Sequence, residues 1–198
     1  MKTTWSERGF TLVEIVVVLA MIGIIAAIAI PSFRGAMPKV RLNNATQTLS
    51  NSIAMARMAA IAKSTTFAVQ FDASAASFSL FQYTDDPSTS ATDYAWRLTG
   101  KTGLGGTVGI ESVTYADATT VLPPSPALPG LPPLLPTLLL NANGTTDVPF
   151  QKLSLRIMLK TTDGDLLRRR VVVASTGRIF SQKWAGGSVD DDAAWIED

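Results

Sequence analysis

Phe10-Thr11-Leu12-Val13-Glu14 opens the run FTLVEIVVVLAMIGIIAAIAI, residues 10–30, and the reading of this run decides the fold. It is 21 residues long and carries one charge, Glu14. As a helix it spans roughly 30 Å, the thickness of a bilayer's hydrocarbon core. A buried core helix would show a polar face, and this stretch is apolar on all sides. Ahead of it stands MKTTWSERG, residues 1–9, polar and carrying Lys2 and Arg8 against Glu7. A positive flank of this kind stays cytoplasmic, which sends the C-terminal bulk of the chain across the membrane.

Two ordinary readings of the run compete with a specialised one. A secretory signal peptide has a shorter apolar core followed by a small-x-small cleavage site, which Ala26, Ala27 and Ala29 imitate. A plain signal anchor fits the length but leaves Glu14 unexplained. A carboxylate at the bilayer centre costs on the order of a few kcal/mol, so such residues tend to be functional and to have a partner. Cleavage between Gly9 and Phe10 would supply one. Phe10 would then bear a free α-amino group, with an ordinary pKa of about 7.7–8.0. Glu14 would sit one helical turn away, able to pair with that amine on its own chain or on a neighbour's. The positive end of the helix dipole favours the carboxylate as well.

Gly9-Phe10-Thr11-Leu12-Val13-Glu14 resembles the class III leader of type IV pilins and type II secretion pseudopilins. In that family a prepilin peptidase cuts after the glycine and methylates the new N-terminal phenylalanine, and the glutamate is the fifth residue of the mature chain. The resemblance therefore implies cleavage at Gly9–Phe10, N-methylation of Phe10 and an assembly contact through Glu14. It continues into Ala29-Ile30-Pro31-Ser32-Phe33, where the family's proline kinks or loosens the long helix, the role it implies for Pro31. The likeness is close over about the first 33 residues.

Beyond the membrane run the pattern is that of an amphipathic helix. Leu42, Ala45, Leu49, Ile53, Ala56 and Ala60 recur at three and four residues and form one apolar stripe. Arg41, Asn44, Thr48, Ser52 and Lys63 take polar positions, and Pro38 is placed to bend the start. One helix from Phe10 to about Lys63 is expected, its second half packed on a β-rich domain over residues 64–184. Thr66–Phe71 and Ser77–Tyr83 flank Asp72–Ala76 as a hairpin. Trp96–Leu98 and Thr107–Tyr115 are strand candidates inside a looser region, Thr84–Pro149. Seven of the 11 prolines lie between Pro123 and Pro136, a stretch that cannot enter a sheet interior and reads as a surface loop. Leu153–Lys160 alternates as a half-buried strand, Asp163-Gly164 is a hairpin turn, and Leu166–Ala174 and Arg178–Gln182 are the next strands with Gly177 between them. Residues 185–198 read as a mobile acidic tail. The expected class is α+β, a long N-terminal helix on an antiparallel sheet, which is the pilin architecture. SIAMARMAAIA, Ser52–Ala62, and VVVASTGRIF, Val171–Phe180, each resemble stretches of the GspH/FimT group: an Ala-Arg pair before small residues, and a strand–Thr-Gly-Arg–strand turn.

Composition bounds the chemistry. Histidine and cysteine are absent, which removes the commonest general base, the thiolate nucleophile, thiolate zinc sites and disulfides. No cofactor or metal is therefore expected. Thr102–Gly109, TGLGGTVG, lacks the lysine of a phosphate loop and reads as a turn. Arg168-Arg169-Arg170 would split across a strand, Arg169 opposite the other two, and suits ion pairs or a solvated face better than a phosphate site. Asp190-Asp191-Asp192 with Glu197 and Asp198 lacks the spacing of a calcium loop. A net charge of +1 argues against nucleic acid as a partner.

The resemblance implies a structural minor pseudopilin of the type II secretion system rather than an enzyme. The expected place is the inner membrane, crossed once, with the C-terminal domain in the periplasm. Implied partners are other pseudopilins in a filament, the prepilin peptidase, the inner-membrane assembly platform and membrane lipid. A FimT/FimU-type minor pilin of a type IV pilus is the alternative, and a signal-anchored periplasmic enzyme is the alternative from another class.

Overall fold

The computed structural model describes residues 10–84, 95–116, 135–148, 154–162, 167–188 and 191–197. The expected leader, residues 1–9, the Asp163-Gly164 turn and all of the Pro-rich stretch except Leu135 and Pro136 lie outside the described residues. The chain divides into two units, Met1–Met37 and Pro38–Asp198.

A single helix, α1, runs Leu12–Lys63. It passes through Pro31 and Pro38, each of which lacks the N–H that would close an i→i−4 bond. All six residues of the expected stripe are buried, with Leu49, Ile53 and Ala60 at 0% exposure. Arg41, Asn44, Thr48 and Lys63, read as polar positions, are exposed.

In the second unit the strands are β1 Phe67–Asp72, β2 Ser77–Thr84, β3 Ala95–Gly103, β4 Val108–Tyr115, β5 Thr137–Leu140, β6 Ser154–Thr161, β7 Arg168–Ala174, β8 Ile179–Trp184 and β9 Trp195–Glu197. They form two antiparallel sheets rather than one, in the orders β3-β2-β1-β5 and β4-β6-β7-β8-β9. The helix stripe shares one core with both. Leu49 and Ile53 join Phe71, Phe78 and Leu138 of the first sheet and Ile110, Ile157 and Val171 of the second. Full burial of such side chains stabilises by about 1.5–3 kcal/mol each, so this shared core is what holds helix and sheets together.

The hairpin β1–β2 and the alternation of β6 stand where the sequence places them: Leu155, Ile157 and Leu159 are at 0% exposure. β1, by contrast, is buried on both faces, because Ala68 and Phe81 form a second small cluster with Trp96 and Leu139 on the face away from the helix.

Two elements depart from expectation. β5 lies in the region read as loose, because its pairing is non-local: Phe67–Gln70 of β1 face Thr137–Leu140. Pro136 just precedes it, where its missing N–H costs nothing, and its carbonyl accepts from the Phe71 N–H at 2.9 Å. The C-terminal stretch is the second correction. Asp192–Ala194 forms a 3₁₀ turn capped by the Asp191 side chain, and β9 pairs with β8. A segment read as a mobile acidic tail is thus an ordered edge of the second sheet, anchored by Ala194 and Trp195, both 6% exposed.

Candidate functional site

The N-terminal turn is built around Thr11. Its Oγ1 accepts the Glu14 N–H at 3.2 Å and its carbonyl accepts the Ile15 N–H at 3.3 Å. Thr11 is therefore the N-cap, and Glu14 sits three residues in, the threonine–glutamate spacing of a capping box. Glu14 is the acidic residue of the first turn, beside the helix's positive end. Phe10, directly before the cap, is 79% exposed. Gly9 lies outside the described residues, and Pro31 falls inside α1.

Behind this cap, Leu12–Ala29 has a mean hydropathy of 2.9 and no part of it is buried inside the protein. Val13, Leu19 and Ile25 point in different directions around the helix, and each is more than 60% exposed. Its length and composition suffice to cross a membrane. An apolar cylinder of this kind is stable only where lipid or other helices cover it.

A second constellation joins the two short stretches singled out in the sequence. Arg57, from the Ala-Arg pair, donates through Nε to the Gly144 carbonyl at 2.6 Å and through a terminal nitrogen to the Thr176 carbonyl at 3.5 Å. Gly177, next in that turn, has φ +83 and packs so closely that a Cβ would stand 2.5 Å from Arg57 Nε. Thr146 Oγ1 reaches the Ala174 carbonyl at 3.3 Å. Arg57 thus ties the helix to the β7–β8 turn and the loop after β5. Its role is positioning, and Gly144 was the partner that sequence reading missed.

The arginine run splits as its strand alternation requires. Arg168 holds Glu111 with two hydrogen bonds, 2.8 and 3.1 Å, and lies over the Trp184 ring at 5.2 Å. The Arg168 hydrogen bond keeps the Glu111 carboxyl below the ordinary carboxylate range, against the opposing effect of burial. Arg170 bonds Asp192 at 2.9 Å and Gln182 at 2.6 Å and stacks over Trp195 at 4.4 Å. Arg156 reaches the other Asp192 oxygen at 2.7 Å. Burial pushes the Asp192 carboxyl up, but the Arg170 hydrogen bond and the Arg156 charge outweigh it and hold it low. One acid of the expected tail therefore bridges two arginines. The apolar pair Trp195-Ile196 within that tail was the available signal.

Residues 6–30 match the prokaryotic N-terminal methylation motif. The fold overlays the minor pseudopilin EpsH from the type II secretion system of Vibrio cholerae in two solved structures. TM-scores are 0.50 and 0.51 at 13% identity, covering 72% of this chain and 97% and 96% of EpsH. The chain is pilin-like, a methylation motif on a pseudopilin fold. A looser overlap with the type IV minor pilin FimU of Pseudomonas aeruginosa has a TM-score of 0.42 at 17% identity, over 71% of this chain and 87% of FimU. Among curated proteins, the fimbrial protein EcpB of Eikenella corrodens is 46% identical over 39 residues, 20% of this chain; the match spans only about a quarter, 24%, of EcpB. In the pilin-like chain the matched motif covers both the Thr11 cap and the exposed apolar helix.

Proposed function

We propose that this chain is a structural minor pseudopilin of a type II secretion system, of the H type, packed through its N-terminal helix into a short periplasmic filament that supports protein export. The observation that carries the reading is the helix Leu12–Ala29: a membrane-length apolar cylinder, unburied by its own protein, opened by a capped turn that holds its one carboxylate.

In this reading prepilin peptidase cuts after Gly9 and methylates Phe10. Residues 10–30 anchor the subunit in the inner membrane, residues 31–63 continue as the periplasmic half of the helix, and the β-rich domain lies in the periplasm. Glu14 pairs with the N-terminal amine of a neighbouring subunit. Pro31 removes one backbone hydrogen bond and lets the helix adapt as subunits leave the bilayer. The assembly platform in the inner membrane adds subunits, and an ATPase elsewhere supplies the work. The chain itself catalyses nothing; it offers packing and recognition surfaces.

A second reading, a minor pilin of a type IV pilus, is favoured by the likeness to the fimbrial protein EcpB. Deleting the gene separates the two. Loss of exported enzymes with intact pili supports the secretion reading; intact secretion with lost pili supports the other. Intact-mass measurement of membrane-extracted protein is expected to show an N-methylated Phe10 start, abolished in Gly9→Val because the peptidase site excludes a branched side chain. A start at Met1 or near Pro31 in the unsubstituted protein would sink both readings.

A further inference from the structure

A cleft of about 350 Å³ opens in the second unit between the first residues of its helix and the ends of β7 and β8. Leu42, Leu167 and Trp184 give it an apolar lining, and Lys39, Arg168 and Lys183 give it cations. Arg168 is held by Glu111. Arg169 also lines the cleft and is engaged within the chain. Lys39 and Lys183 are exposed, and neither has an ion-pair partner among the described residues. The Trp184 indole Nε1 is buried and has no acceptor among the described residues.

The two lysines, without an ion-pair partner among the described residues, place positive charge beside an apolar recess. An anion alone would leave the apolar lining uncovered, and an apolar side chain alone would leave the lysines unanswered. The complementary ligand has both parts: a large apolar side chain for the recess, with carboxylates beside it for the lysines, while the buried Trp184 Nε1 is out of its reach. A recess sized for one side chain also differs from the broad basic surface that binds anionic lipid. The net charge of +1 supplies no long-range field to gather nucleic acid or membrane.

We propose that this cleft is a docking site for an acidic segment of a partner protein, in which one leucine or aromatic residue flanked by Asp or Glu enters between Lys39 and Lys183. The proposal does not depend on which machine the subunit serves, because it rests on the second unit alone.

The test uses the full chain in neutral detergent and fluorescently labelled short peptides carrying Leu, Phe or Trp between two aspartates. Fluorescence anisotropy is expected to show saturable binding that weakens with added salt. Replacing the aspartates by asparagine, or the apolar residue by serine, is expected to weaken it about tenfold, because both halves of the ligand are used. Lys39→Glu with Lys183→Glu should weaken the acidic peptides by at least that factor. Thermal melts establish that each variant is folded. Three results would overturn the proposal: no binding across the peptide series, equal binding of the asparagine peptides, or binding unchanged by the lysine substitutions. Tighter binding of phosphatidylglycerol nanodiscs or of an oligonucleotide than of the acidic peptides, lost in the same lysine variants, would assign the cleft to that ligand and also overturn it.

Discussion

Arg57 and Gly177 occupy space that admits no further side chain: a Cβ on Gly177 would stand 2.5 Å from Arg57 Nε and 2.5 Å from the Gly144 carbonyl oxygen that Arg57 binds. They lie on different elements, the helix and the β7–β8 turn, and each explains the other. The arginine needs a backbone without a side chain to reach past, and the glycine's φ of +83 favours a residue without a Cβ.

Gly177→Ala combines an unfavourable backbone conformation with that clash. A loss of about 1–3 kcal/mol is expected. Arg57→Met removes the donor to the Gly144 carbonyl in a buried residue, with an expected loss of about 1–3 kcal/mol. Because the two share one contact, the double variant should lose less than the sum. Thermal unfolding in detergent reads this, at roughly 2–4 °C per kcal/mol for a chain of this size. Full additivity would show that the pair is not coupled.

The helix stripe gives a contrast of faces. Leu49 is at 0% exposure and Met55 at 65%. Leu49→Ala should cost about 2–5 kcal/mol through lost burial and a cavity. Met55→Ala should stay within about 0.5 kcal/mol. The same stripe predicts that a chain lacking residues through Ser32 is soluble and unfolds cooperatively, since residues 42–60 still cover both sheets. Equal sensitivity at the two positions, or an aggregated truncation with no cooperative melt, would contradict the packing.

Acid should loosen the second sheet. Glu111 and Asp192 both hold their carboxyls below the ordinary values of 4.5 and 3.8, through Arg168 in one case and through Arg170 and Arg156, against burial, in the other. A group whose folded pKa is lowered contributes stability that is fully present above its unfolded value and lost as pH falls through the folded one. The decline should therefore begin below about pH 4.5, where the unfolded chain takes up protons first. Asp192→Asn should lower the melting temperature at pH 7 and flatten the acid limb. The Asp192 side chain is 64% exposed, so solvent screening keeps the loss near the exposed-pair limit, about 1 kcal/mol. An unchanged acid limb would mean that Asp192 is not what the arginines need.

Glu14→Val distinguishes a tolerated membrane charge from an assembly contact. Removing a charge from the apolar run should leave insertion intact or improve it. If Glu14 pairs with a neighbour's amine, recovery of partner subunits at matched expression should fall without vanishing, because desolvation offsets part of the pairing energy. Thr11 keeps its capping bond to the residue-14 N–H in this variant, so helix initiation is not the variable. Unchanged recovery together with unchanged secretion would show that Glu14 carries no assembly contact.

Three features of this protein were decided within short windows of chain. The apolar run with its one carboxylate is a membrane-length helix whatever surrounds it, because its composition alone sets its solvent. The stripe from Leu42 to Ala60 assigns its own buried face, because helical periodicity is local. The hairpin β1–β2 was legible for the same reason, its strands flanking the short turn Asp72–Ala76. Only the tertiary structure decided that the strands divide into two sheets, that Thr137–Leu140 pairs with β1, and that Asp192 serves Arg156 and Arg170. Those partners stand 22 to 36 residues apart or more, and the choice among many possible pairings is made by the common core they enclose. The meeting of Arg57 with Gly144 and the Thr176-Gly177 turn belongs to the same class. Both stretches were visible in the sequence, but Arg57 and Gly144 stand 87 positions apart, and nothing between them signals that a guanidinium and a bare backbone will meet.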